Sequence, residues 1–85
     1  MKGALNMEQR HERRTVTVAN VQTGRGFDLI VILDRAAHMF KVYKKWYEYN
    51  SETDFGWHRK KVQEYPNLVD CMTYMTNVVA GWYQI

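Results

Sequence analysis

The run Leu29-Ile30-Val31-Ile32-Leu33 limits the fold more than any other part of the chain. Side chains alternate between the two faces of a strand, so Phe27, Leu29, Val31 and Leu33 share one face while Ile30 and Ile32 share the other. A strand that is apolar on both sides, with Asp28 and Asp34 bracketing the run, belongs in the centre of a sheet. Its first neighbour precedes it. Thr15-Val16-Thr17-Val18-Ala19-Asn20-Val21 is β-branched with a period of two, and Gln22-Thr23-Gly24-Arg25-Gly26 supplies the flexible backbone of a hairpin loop between the two strands.

Two periods compete between Asp34 and Tyr49. A helix capped by Asp34 would gather Lys41, Lys44, Lys45 and Glu48 on one face and Ala36, Phe40, Tyr43 and Tyr47 on another. A strand from about Met39 would turn Phe40, Val42 and Trp46 inward and Lys41, Tyr43, Lys45, Tyr47 and Tyr49 outward, with Lys44 as the misfit. The strand is favoured, because rings and β-branched residues suit a pleated surface. It also gives Phe55 to Tyr65 an antiparallel partner across a loop at Asn50 to Asp54.

The last element has helical punctuation. Pro66 precedes a capping Asn67, Asp70 stands three residues on near the positive end of the helix dipole, and Gly81 can end the helix. Leu68, Met72, Met75, Val79 and Trp82 recur at helical spacing, and Thr73, Thr76, Asn77 and Ala80 are left for the outer face. The predicted fold is therefore α+β, an antiparallel meander of three to four strands packed on one C-terminal α-helix. Residues 1 to 13 lack any period and read as a flexible basic arm ahead of a single domain spanning 14 to 85.

Eighty-five residues build one small domain that buries only about 60% of the surface its unfolded chain exposes. Within residues 67 to 85 the only charge is Asp70, and a sheet offers such a helix one face. The reading is that more than one side is covered, which predicts a homodimer through the C-terminal helix or a sheet edge. No apolar stretch approaches the roughly 20 residues needed to span a bilayer, and the polar, basic start is unlike a signal peptide, so no membrane role and a cytoplasmic location are expected. Cys71 is the single cysteine, which excludes an intramolecular disulfide framework.

Catalytic and metal chemistry find little support. His11, His38, His58 and Cys71 are not at zinc-ligand spacing, and neither a nucleophile with its base nor a carboxylate pair is evident. Cys71 near a helix start reads as a small buried hydrophobe. No cofactor, no metal and no enzymatic activity are expected. Gly24-Arg25-Gly26 lacks the third glycine and the following helix of a phosphate-binding loop, although Arg25 remains available to a phosphate.

Residues 40 to 61 hold seven of the twelve aromatics and six of the twelve Lys and Arg, interleaved along the predicted hairpin. Two readings of this density stand side by side. In one, Phe40, Val42, Trp46, Phe55 and Trp57 fill the core and the lysines solvate the opposite face. In the other, Tyr43, Tyr47 and Tyr49 present rings between Lys41 and Lys45, the composition of a stacking platform in an electrostatic groove. The candidate binding residues are Lys41, Tyr43, Lys44, Lys45, Tyr47, Tyr49, Trp57, Arg59, Lys60, Lys61 and Arg25. Net charge +3 permits an acidic partner without demanding one: the first reading is single-stranded nucleic acid or another polyanion, and the alternative is an acidic protein surface met by a regulator or inhibitor.

Four strands followed by a helix, with a basic sheet, resemble the single-strand-binding domain of transcriptional coactivators in architecture. No residue motif accompanies that likeness, and no site is carried over from it. The compact, aromatic-rich style also resembles small phage or mobile-element proteins that bind host machinery.

Overall fold

The computed structural model describes residues 13–85, so all but the last residue of the predicted N-terminal arm lies outside the described residues. Four strands, β1 (Thr15–Gln22), β2 (Asp28–Asp34), β3 (Met39–Ser51) and β4 (Asp54–Tyr65), form one antiparallel sheet in the order β1-β2-β3-β4. One helix among the described residues, α1 (Leu68–Val79), follows and packs on one face. The expected α+β meander is the observed fold, and the strand reading of Met39 onward is the correct one.

The apolar run on β2 explains the layering. Leu29 and Val31 are fully buried against α1, while Ile30, on the opposite face, is only 8% exposed beneath its cross-strand partner Tyr43. Val42 of β3 completes the centre of the core with Cys71, Tyr74, Met75 and Val78 of α1, and Ala19, Val21, Phe27, Phe40, Val62 and Tyr65 pack around them. Burial pushes the Cys71 thiol and the Tyr74 hydroxyl up from their ordinary pKa values, as expected for groups sealed in an apolar layer.

Both ends of α1 are built as the sequence predicts. The Asn67 side chain accepts from the Asp70 amide at 2.8 Å and donates to the Asp70 carboxylate at 3.0 Å. At the other end, Gly81 adopts φ 90°, its amide donates to the Val78 carbonyl at 3.0 Å, and the Trp82 amide donates to the Asn77 carbonyl at 2.8 Å. These are the paired bonds of a Schellman turn, which requires the left-handed backbone that glycine adopts without strain.

The buried stripe of α1 differs from the expected one. Cys71, Tyr74, Met75 and Val78 face the sheet, whereas Leu68, Met72, Val79 and Trp82, read from the sequence as the packed stripe, are exposed. Only Met75 belongs to both. Trp82 is 78% exposed and borders a depression with Val62, Tyr65 and Tyr74.

Two bulges reset the alternation of the edge strands. On β1 the register shifts between Thr17 and Ala19, leaving Val18 unpaired and exposed while Ala19 and Val21 turn to the core. On β4 it shifts opposite Val42 and Tyr43, so Tyr65 and Val62, three residues apart, both pack on the core. In consequence Lys61, Arg59, Trp57 and Phe55 come out on the face away from the helix. No helix among the described residues is long and apolar enough to cross a membrane.

Candidate nucleic-acid interface

The β3–β4 hairpin is longer than the helix that supports it, with strands of 13 and 12 residues against 7 in β2. Among the described residues, nothing covers its face away from α1. Register places Lys41, Tyr43, Lys45, Tyr47 and Tyr49 of β3 on this open face, paired with Glu64, Lys61, Arg59, Trp57 and Phe55 of β4. Eight of the eleven residues singled out in the sequence are thereby brought together. From Tyr43 to Tyr49 and from Phe55 to Lys61 the hairpin itself puts no acidic side chain on that face, and on β2 Asp28 pairs with Lys45.

The rungs fall into two blocks, ring pairs toward the hairpin tip and cations behind them. Tyr49 and Phe55 stack with ring centroids 6.0 Å apart, and Tyr47 meets Trp57 edge-on at 5.5 Å. In the rung next to the ring pairs, Lys45 lies over the Trp57 ring at 4.9 Å and Arg59 over the Tyr43 ring at 4.7 Å. Such contacts at exposed sites are worth roughly 0.5–1 kcal/mol each, enough to order the cations without burying them. The rings stay open to solvent, with Trp57 62%, Tyr49 61%, Phe55 56% and Tyr47 49% exposed. The core assignment of Phe55 and Trp57 is thus overturned, and the β4 bulge is the cause. Phe55 is also the platform ring absent from the candidates chosen on sequence. Its pairing opposite Tyr49 marked it, but the phase of β4 did not.

Three candidates lie elsewhere. Arg25 turns from the β1–β2 loop to α1, where its Nη2 donates to the Val78 carbonyl. It supplies the cation that the last helical turn lacks. Lys44 pairs with Leu29 on the helix side, and its Nζ reaches the Ile85 carbonyl at 3.1 Å and lies over the Phe27 and Trp46 rings, which explains the misfit in the alternation. Lys60 is opposite Lys44 on that side. Trp46 belongs there too, stacked on His58 at 5.6 Å, with Glu48 accepting from its indole.

Two depressions flank the ladder. One, of about 290 Å³, lies between the Tyr47, Trp57 and Lys45 side chains and the loop from Gln22 to Asp28. The larger, of about 760 Å³, crosses the sheet from Arg13, Arg14, Thr15 and Thr17 over Ile32 and Asp34 to Lys41, Tyr43 and Arg59. Asp34 is its only acid among the described residues. The carboxylate, 2% exposed, accepts from Arg14 Nε (3.0 Å), Arg14 Nη2 (3.2 Å), Lys41 Nζ (3.0 Å) and the Ala36 and Ala37 amides (3.1 and 3.2 Å). The bonds from Arg14 and Lys41 hold its pKa well below the usual carboxylate range and raise theirs.

Among the described residues, no group of three or more His, Cys, Asp or Glu side chains is placed to share a metal ion. No family model matches the chain, and neither does any curated protein or solved structure.

Proposed function

We propose that the protein is a non-enzymatic binding module that engages single-stranded nucleic acid through the open face of the β3–β4 hairpin. The observation that carries this reading is the ladder itself, in which two adjacent, solvent-exposed ring pairs adjoin a rung of two cations, Lys45 and Arg59, along a stretch of hairpin with no acid of its own on this face. Rings that stack on any base, beside cations that meet any phosphate, describe a sequence-tolerant single-strand binder. A second feature supports it. Lys45 directly opposes Arg59 across the strands, a like-charge pair that Asp28 on the other side of Lys45 offsets only for the lysine and that an anionic partner would relieve.

Titration of labelled oligonucleotides tests the proposal. Binding that strengthens at low salt is expected, with log K falling against log salt by about 2 if three cations meet phosphates. No binding at tens of micromolar protein under low salt would remove it. An acidic protein partner is the competing outcome, revealed by recovered host proteins that survive nuclease treatment.

The homodimer belongs to the same proposal. Leu68, Val69, Met72, Val79 and Trp82 leave an apolar, nearly uncharged outer face on α1, whereas the β4 edge carries Arg59, Lys60 and Lys61. On a chain of net charge +3, two helices can meet without opposing cations, and two β4 edges cannot. Pairing through α1 turns both open faces outward, and light scattering across a dilution series reads the mass.

A further inference from the structure

The cleft that crosses the sheet beside the ladder contains cations that stacking on the rings does not use. Arg13, Arg14, Lys41 and Arg59 surround it, against the single carboxylate of Asp34. That carboxylate is no competitor for a ligand, because five donors already saturate its two oxygens from a buried position. What it does is hold two cations in place. Lys41 keeps N–H groups that Asp34 does not take, and so does Arg14, and both side chains line the cleft. On the opposite wall Arg59 is braced over the Tyr43 ring and has no carboxylate partner among the described residues.

An anion entering here meets preorganised donors, which lowers the ordering cost of binding. Arg59 and Tyr43 belong to both the cleft and the ladder, so the two features meet at one corner.

Resting on the reading of the open face as a single-strand interface, we propose that this cleft is a phosphate-binding site that seats a backbone phosphodiester of the bound strand. Arg59 marks the bend between the seated backbone and the bases stacked along the hairpin. Lys41 and Arg14, positioned by Asp34, face the phosphate from the β1 side, and Arg13 extends the basic track towards the sheet edge. The recognised chemistry is the phosphodiester, without regard to base.

The test uses the full chain with two strands of about twelve nucleotides, within the range of sites that single-strand binders cover: oligothymidylate, and an abasic strand with the same backbone. Wild type, Arg59→Gln, Arg13→Gln and, as a charge control on the opposite face, Lys60→Gln are compared by fluorescence anisotropy over a salt series. The cleft predicts that Arg59→Gln weakens binding of both strands about tenfold and flattens the salt slope by about 0.7, with a smaller loss for Arg13→Gln and little for Lys60→Gln. Arg13 is exposed ahead of β1, so its variant carries the test even if Arg59→Gln lowers the melting temperature.

If oligothymidylate binds but the abasic affinity is unmoved by Arg59→Gln and Arg13→Gln, the cleft is refuted while the stacking face stands. If Lys60→Gln costs as much as Arg59→Gln, the attraction is diffuse charge and the site is refuted. If inorganic phosphate binds wild type more tightly than the abasic strand does, the cleft serves a small anion and the strand assignment is wrong. If neither strand binds at low salt, the reading of the open face falls with it.

Discussion

The two faces of the sheet solve different problems with the same strands. Beneath α1, Leu29, Val31 and Val42 are fully buried, and among the described residues no buried side-chain polar atom lacks a hydrogen-bond partner. On the other side, beyond Ile30, the hairpin spends its rings and cations on solvent, and sets Lys45 against Arg59. The contrast teaches that the fold is stabilised on one face and left exposed on the other. A residue's effect on stability and its effect on binding should therefore separate.

The largest expected effect lies on the buried face. Leu29→Ala removes a fully buried side chain from the central strand and should destabilise the protein by about 3 kcal/mol, measured by urea unfolding. A loss below about 1 kcal/mol would mean that the core is not centred on β2. Next comes Trp57→Ala on the open face. It should weaken oligonucleotide binding by about 1–3 kcal/mol while changing stability by less than about 1 kcal/mol, because the ring is 62% exposed. Equal losses in both would collapse the distinction between the faces.

The smallest mutational effect is the most diagnostic in sign. Arg59→Glu replaces a like-charge rung with an opposite-charge one on the edge strand, and should raise stability by about 0.2–1 kcal/mol while reducing nucleic-acid affinity. Loss of stability would show that the Arg59 contact with Tyr43 outweighs the repulsion from Lys45.

Acid sharpens the comparison at the junction of the two faces. Asp34 is held below the usual carboxylate range in the folded state, chiefly by its hydrogen bonds from Arg14 and Lys41. A folded-state pKa below the unfolded one means that the unfolded chain takes up the proton first as pH falls. The contribution of Asp34 is then fully present above about pH 4 and is lost progressively below it. Melting curves from neutral pH down to pH 2 should show this fall, and Asp34→Asn should be less stable at neutral pH with a shallower acid dependence. Parallel curves for the two proteins would contradict the assignment.

Much of the fold was legible in local sequence. The doubly apolar run at Leu29 to Leu33 marked the central strand, and Asn67, Asp70 and Gly81 marked both helix ends. The face of α1 was not legible, because the helix offers two apolar stripes that differ by one position. The stripe of Cys71, Tyr74, Met75 and Val78 is selected by non-local contacts, including Tyr65 against Tyr74 and Arg25 on the Val78 carbonyl. The candidate interface was legible on β3, where alternation runs unbroken from Met39 to Tyr49. On β4 the bulge beside Val62 inverts the phase, so Phe55 and Trp57 could be assigned to the core as readily as to the surface. The cleft was invisible, since Arg14, Asp34, Lys41 and Arg59 meet only through the register of four strands.

The three tryptophans lie on three different surfaces: Trp57 on the open face, Trp46 on the helix side of the hairpin and Trp82 beyond the end of α1. Their indole N–H resonances, followed by NMR during titration with oligothymidylate, test the central claim most directly. The account predicts that the Trp57 signal shifts and saturates with the strand while those of Trp46 and Trp82 move little. Saturation with Trp57 unmoved, or with the shift confined to Trp46 or Trp82, would contradict it.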